Sequence, residues 1–501
     1  MPPNKPFLTA KQIIDKLWST PALNLPRDST ERLVLTGPPE PVVPSSFRIG
    51  AVAQAAIGCS ALSSAYIHQL RHGIDQPQEV SVDARHAVLD CESEAWATLD
   101  GKSPGGTWDV LAGAYKTKDG YVRIHTNFPH HRDIILDTLG LPRTPTPTRE
   151  TLESSLQQWE SQSFEDAVIQ AGGCAFKVRS FDEWSNHPHG IHTANLEPLS
   201  LRKIGEAPAR ALPEAKIDDL PLKGLRVLDL TRVLAGPVCG RTLAAHGADV
   251  LWITSPNLPD LPALDVDTSR GKRTTQLDLN NEADVTTFRR LLKDADVLLQ
   301  SYRPGSFSRR GFGPDELATQ YPNLVTASLS GFGLDGPWGG RRAFDSLVQA
   351  ATGFNIAEAE AYQSARPSEQ ASSLRPLPCQ ALDHAAGYLL VLGINAALGR
   401  RIKEGGNWHV DVSLLGTANW VRSLGRIDPN DAFSHEAMSY DIPKTSSSSE
   451  LAPLLVDIPL AKNNTPRLRA LRHSAAMSLT PVRVGQAPGG LNTHAPEWLP
   501  V

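Results

Sequence analysis

The sequence predicts an α/β fold, a parallel sheet with helices on both faces, joined to a smaller α+β domain. Three observations carry this expectation. Short apolar runs (LRVLDL, ADVLWIT, RTTQLDL, ADVLLQS, LVTASLS) alternate with helical patterns across residues 225–330, and strands alternating with helices build a parallel sheet. Residues 105–200 differ in texture, with paired alternating segments followed by polar helical patterns. Two long apolar stretches, residues 51–67 and 385–398, read as buried helices by their length and their lack of a polar face. With 501 residues, 21% of them charged, the chain can bury a large core and divide into domains.

Taken in order, residues 1–45 form an amino-terminal extension. A helix is predicted over 9–18, opened by Thr9, before the proline-rich TGPPEPVVPSS. Proline neither pairs within a sheet nor continues a helix, so that stretch is an extended connection. Residues 46–104 hold the first buried helix and a strand at EVSVDA. In residues 105–200, GAYKTKDGYVRIHTN reads as a hairpin about Lys118, Asp119 and Gly120. Helices follow at HHRDIILDTLG, at RETLESSLQQWESQSFEDAVIQAGG with a capping-box onset at Thr151, and at SFDEWSNHP. Gly140 and Gly172-Gly173 stop them. His130 and His131 beside Asp133 read as a solvated surface rather than a metal site, because adjacent helix residues point in different directions. Residues 201–220 read as a linker. Residues 221–430 are the large domain, with helices over 282–292 and 315–320 and one opened by Gly236-Pro237. Residues 431–501 read as a mobile serine-rich linker, KTSSSSE, and a closing piece docked on the large domain.

Composition narrows the function classes. A net charge of −5 argues against a nucleic-acid partner. MPPNKPFLTAKQ lacks a hydrophobic signal core, and no uncharged apolar run reaches the ~18 residues of a membrane span. Five cysteines without CxxC spacing fit a reduced, cytoplasmic protein with no structural metal.

Ligands of parallel sheets sit at the carboxyl ends of the strands. The loops there are TRVLAGP, SYRPGSFSRRGFG and SGFGLDGPWGGRRAFDS. Their arginines (Arg303, Arg309, Arg310, Arg341, Arg342) suit a phosphorylated ligand or, equally, a solvated basic rim. No GxGxxG motif is present, which speaks against the ordinary dinucleotide site. Residues 376–415 organise the rest. Asp383 stands just ahead of the second apolar run, where an N-cap would sit. There the helix dipole and unpaired N–H groups favour its ionised form. Asp383 is thus either a cap or a rigidly held nucleophile or base, and periodicity does not choose.

These residues together resemble the class III CoA-transferase family (CaiB/BaiF type), which includes a branch of acyl-CoA racemases. LKGLRVLDLTRVLAGPVCGRTLAAHGADVLWI, ADVLLQSYRPGSFSRRGFG, SLSGFGLDGPWGGRRAFDSLVQAATG and LDHAAGYLLVLGINAALGRR…VDVSLL carry the likeness over residues 222–425. It implies a Rossmann-like CoA-binding domain and an interlocked homodimer. The implied reaction moves CoA from an acyl-CoA to a small carboxylic acid, as in transferases of the formyl-CoA and carnitine-CoA type. Asp383 matches the nucleophile, which would pass through an aspartyl-CoA thioester. Val233, Leu234 and Ala235 match the loop approaching CoA, with Leu277 also at the CoA site. Tyr302 matches an aromatic at the adenine site, and Arg309 and Arg342 match basic positions near the phosphates. Coenzyme A, as acyl-CoA, is the implied cofactor, with no metal, nucleic acid or membrane partner.

The likeness extends to the first half. AAIGCSALSSAYI…VSVDARHAV is similar to a second, degenerate copy of the segment around Asp383, whose place falls on Phe47 or Arg48. HPHGIHTANLEPLSLRKIGEAPARALP and MSLTPVRVGQAPGGLNTHAPEWLP both resemble the family's closing segment. The chain departs from the family at Thr254, Ser255, Ser301 and Ser330, and Phe344-Asp345 stands where the racemases have His-Asp. Two alternatives stay open, a racemase or lyase of the same family and an inactive CoA-binding homologue.

Overall fold

The structure, a computed structural model, describes residues 7–369, 372–459, 466–482 and 489–500. The amino-terminal six residues of the MPPNKPFLTAKQ stretch and part of the closing segment, residues 483–488, lie outside these. The frame is set by helix α1 (Ile49–His72) and a seven-stranded sheet. In chain order the strands are β1 (Leu199–Gly205), β2 (Arg226–Leu230), β3 (Asp249–Thr254), β4 (Arg273–Gln276), β5 (Val297–Gln300), β6 (Val325–Ser330) and β7 (Asn407–Ser413). Their order across the sheet is β4-β3-β2-β5-β6-β7-β1. All neighbours are parallel except β7 and β1. Between strands run helix α2 (Ala235–Ala245), the helices Pro262–Thr268, Glu282–Leu292 and Pro314–Gln320, and helices α3 (Asp345–Thr352) and α4 (Ala381–Glu404). The chain leaves β2 toward β3 on one side and reaches β5 on the other, so strand order reverses between β2 and β5. A crevice opens at such a point.

β1 falls at the junction read as small domain and linker. Its burial alternates at first, with Leu199 and Leu201 buried and Ser200 and Arg202 exposed, as an edge strand with one covered face does.

Helices α1 and α4 pack against each other in the main core, and each has 24 residues. Both are long and apolar enough to cross a membrane, yet the apolar window of each is wholly buried within the protein. Within this apolar contact Asn395 donates to the hydroxyls of Ser63 (2.9 Å) and Ser64 (3.0 Å), a polar link between the two helices. Gly399 lets the ring of Tyr66 approach, since a Cβ there would lie 2.9 Å from it.

The first half builds small sheets around this core. Leu33–Thr36 pairs in parallel with Val80–Asp83, which pairs antiparallel with Ala475–Met477. Gly113–Lys116, Tyr121–Ile124 and Ala175–Lys177 form an antiparallel sheet, covered by helices Pro129–Leu139, Arg149–Leu156 and Ser161–Gln170. The helix expected to start at Thr151 starts at Arg149, because Thr148 is its cap and accepts from the Thr151 N–H. The pattern breaks into two helices where Ser161 N–H donates to Asp119 of the hairpin turn, 2.7 Å away. The serine-rich stretch is also anchored. Its Glu450 pairs with Arg85 at 2.7 Å. The closing piece divides its contacts. Strands Pro466–Leu471 and Ala475–Met477 join the amino-terminal sheets, while Trp498 donates to Leu291 O at 3.1 Å in the large domain.

Candidate active site

The crevice is a cavity of about 480 Å³ at the carboxyl ends of β2 to β6. Beneath it Asp229 lies fully buried near the end of β2. One oxygen of Asp229 accepts from the N–H (3.0 Å) and hydroxyl (2.6 Å) of Thr231, and the other from Lys272 Nζ at 2.8 Å. Trp252 Nε1 donates to Thr231 O at 2.9 Å. The loop is thereby fixed as it leaves the strand. Two residues on, Val233 is held at φ 74°, in the left-handed region that a β-branched side chain avoids. Such strain persists only where surrounding contacts enforce it, commonly at functional sites. No side chain caps the first turn of α2 at Leu234, so that turn retains the anion-binding capacity of a helix N-terminus.

Helix α4 is pressed onto this loop. A Cβ on Gly387 would lie 2.6 Å from Ala235 O, so only glycine permits the approach. One turn earlier, Asp383 reaches the cavity wall with 8% of its surface exposed. Asp383 is not the cap of α4. The helix starts at Ala381 with Gln380 in the cap position. Its first-turn N–H groups are taken by Asp345 of α3, whose Oδ2 accepts from Leu382 (2.8 Å) and Asp383 (3.0 Å). Asp345 is itself held by Gln349. The expectation that the helix end ionises Asp383 is therefore corrected. Burial, and next the negative charge of Asp345, hold its carboxyl well above the usual carboxylate range, and His384 opposes them.

The expected ligand residues fall mostly together. Val233, Leu234, Ala235, Leu277, Tyr302, Arg342 and Asp383 all line the cavity. Arg309 does not; in the Ser308–Arg310 turn it faces solvent, and its neighbour Arg310 reaches the wall, bonded to Asn280 at 3.0 Å. Tyr302 stacks on Phe307 with ring centroids 5.5 Å apart, an apolar face for a planar group. Thr254, Ser255, Ser301 and Ser330 are also on the wall. Ser301 accepts from Arg232 N–H at 3.1 Å and so braces the loop after β2.

The first half supplies wall residues that periodicity did not reveal, namely Phe128, His130 and His131. His131 is 3% exposed, not solvated, because it packs against Phe344 and Phe128. Burial and nearby His130 and Arg342 push it down to about 3, so it stays neutral. Phe344 stacks on His125 with centroids 3.6 Å apart. Around the cavity Arg341 is paired with Glu165 at 3.2 Å. Among the described residues Arg303 and Arg342 have no carboxylate within 4.0 Å. The site thus offers a cationic rim, an uncapped helix turn, an aromatic shelf and one buried carboxylate. That set fits an elongated anionic ligand whose reacting end lies at Asp383. Among the described residues no group of three or more His, Cys, Asp or Glu is arranged to hold a metal.

Residues 222–428 match the family model for CoA-transferase family III. Over 470 residues the chain is 28% identical to the acetyl-coenzyme A transferase nodX of Hypoxylon pulicicidum, covering 81% of this chain and 76% of that one. A match of 33% over 211 residues to the probable fatty acyl-CoA transferase Rv3272 of Mycobacterium tuberculosis covers 40% of this chain and 51% of that protein. Among solved structures, a CaiB/BaiF family protein from Brucella suis is 25% identical, covering 48% of this chain and 64% of that one, with a TM-score of 0.35.

Proposed function

We propose that this chain transfers CoA from an acyl-CoA to a free carboxylate, with Asp383 as the covalent carrier. The observation that carries the reading is a buried carboxylate on the wall of a cationic cavity at the point where the sheet order reverses. The Asp383 carboxylate attacks the thioester carbonyl, the C–S bond breaks, and CoA leaves as thiolate with an acyl-aspartyl anhydride in place. The thiolate attacks the aspartyl carbonyl and releases the first carboxylate, leaving an aspartyl-CoA thioester. The acceptor carboxylate attacks that thioester, and the returning thiolate takes the new acyl group and frees Asp383. Each step needs a positioned nucleophile and donors for a developing oxyanion. The uncapped first turn of α2 beside Ala235 supports the second requirement.

The loop around Val233 would approach the pantetheine arm, Tyr302 would face the adenine, and Arg342 and Arg310 would meet phosphates. The relatives' printed activities support CoA transfer, including acetyl-CoA:oxalate and formyl-CoA:oxalate CoA-transferases. Phe344, stacked on His125, puts no base where the racemases hold one. The test is mass spectrometry after incubation with short acyl-CoAs and trapping with hydroxylamine or borohydride. A modification at Asp383, absent from Asp383→Ala, is expected. Measurable CoA binding without any adduct would overturn the proposal.

A further inference from the structure

Asp383 must lose its proton to act as a nucleophile, yet its surroundings oppose this. It is buried, Asp345 of α3 faces it with like charge, and the helix N–H groups that would favour an anion already bind Asp345. Something else must favour the ionised form. The next residue on α4, His384, is fully buried, and its Nε2 lies 3.1 Å from Oε2 of Glu94, itself 6% exposed. Glu94 comes from the first half of the chain, in the short turn Ser93–Trp96.

We propose that Glu94 and His384 form a buried positioning pair that holds Asp383 in its reactive state, so that the first half of the chain completes the active site. The inference rests on the reading of Asp383 as nucleophile.

The turn carrying Glu94 is held rigidly. Ser93 donates to Asp267 at 2.8 Å, and Arg241 of α2 donates to Ser93 at 2.9 Å. Arg241 also pairs with Asp267, and with Asp90 at 3.4 Å. Glu94 is thereby fixed against the same helix α2 whose first turn forms the cavity floor. The groups facing His384 are Glu94 and the buried Glu92 beside the same turn, Cys91 from the loop after Ala84–Asp90, Arg241 from α2, and the carboxyls of Asp383 and Asp345. Burial alone would leave the imidazole neutral, but Glu94 raises it to about 9. The groups facing Asp383 are Asp345, His384 and Glu94. His384 follows Asp383 directly in the first turn of α4, so its imidazolium sets a positive charge beside the carboxyl and favours the ionised form. His384 makes no described contact with the cavity, so it acts through its neighbour and not on substrate.

The test uses the full chain with ¹⁵N-labelled histidine, His384→Gln assigning the signal. NMR reads the charge of His384 directly. Trapping of the Asp383 adduct against pH reads the consequence. In the wild-type protein His384 is expected to stay protonated at pH 7.5. In Glu94→Gln it is expected to be neutral, with the acid limb of adduct formation moved up by about one pH unit and CoA affinity unchanged. Glu94→Asp, which keeps the charge, is expected to restore most of the profile. His384→Gln, which leaves Glu94 uncompensated, is expected to shift the limb further. Should Glu94→Gln not fold, His384→Gln carries the same test. A neutral His384 in the wild-type protein overturns the inference. So does an unmoved pH profile in both variants while the wild-type protein still forms the adduct. No wild-type adduct at any pH would instead sink the nucleophile reading, and the charge of His384 would still be measured.

Discussion

Replacing Lys272 by Met tests how the cavity floor is held. Lys272 and Asp229 are both fully buried and 2.8 Å apart, and Lys272 also donates to Pro237 O at 2.9 Å. A Cβ on Gly240 would come within 2.0 Å of the Asp229 carboxylate, so the pair occupies space that only glycine leaves. Met fills much of the volume of lysine but leaves Asp229 charged, buried and without its cation. Removing one partner of such a pair costs about 3–5 kcal/mol, which lowers the folded-to-unfolded ratio between about a hundredfold and a few thousandfold. The assay is urea unfolding followed by tryptophan fluorescence, with acyl-CoA binding measured alongside. The double variant Lys272→Met with Asp229→Asn removes the stranded charge. An amide oxygen at 229 can go on accepting from Thr231, so this variant is expected to regain most of the loss. A cost under about 1 kcal/mol for Lys272→Met would refute the argument. So would a double variant no more stable than the single one, since the stranded charge would then not be the cause.

Two more outcomes follow from packing and titration. Gly387→Ala puts a methyl group 2.6 Å from Ala235 O and is expected to move α4 off the loop, lowering CoA affinity at least tenfold, about 1.4 kcal/mol; unchanged affinity by calorimetry would show the approach to be dispensable. Glu40, half-buried and bonded to Ala51 N–H, is raised by burial from 4.5 to about 7. A raised carboxyl contributes stability that is full below its unfolded value and lost as pH rises through its folded value. The wild-type protein should therefore lose up to about 3 kcal/mol between pH 4.5 and 8, less what solvent screening removes. Glu40→Gln should flatten that decline, and urea midpoints at pH 5 and pH 8 that fall equally in both proteins would contradict it.

The strands of the main sheet were readable because parallel strands are buried on both faces and leave continuous apolar runs. LRVLDL, ADVLWIT and LVTASLS all fell where β2, β3 and β6 stand. The start of α4 was not readable. Its cap is Asp345, 38 residues earlier than the N–H it accepts from, and a cap supplied across the fold leaves no local pattern. β1 was divided between the small domain and the linker because an edge strand facing solvent on one side carries Arg202 and Lys203, like a connection. Motif order picked out Asp383 and the loop at Val233, both on the cavity wall, whereas in the tight turn Ser308–Arg310 the chain turns Arg310 and not Arg309 to the cavity. Phe128 and His131 reach the cavity wall, and Glu94 reaches His384, only because the first half folds over the large domain, and no spacing along the chain encodes that.

Helix α1 and its partner α4 are separated by roughly 300 residues of chain. At ribosomal speeds of 5–20 residues per second, α1 waits roughly 15–60 s for its cover. Throughout that interval the face of this 24-residue helix that α4 covers stays bare, with only the short flanking elements Ala10–Trp18, Leu33–Thr36, Val80–Asp83 and Ala84–Asp90 packed against the rest. Synthesis of this protein is thus a period of exposure to aggregation and to whatever holdase recognises greasy helices. Any fragment ending before residue 381 inherits that exposure permanently.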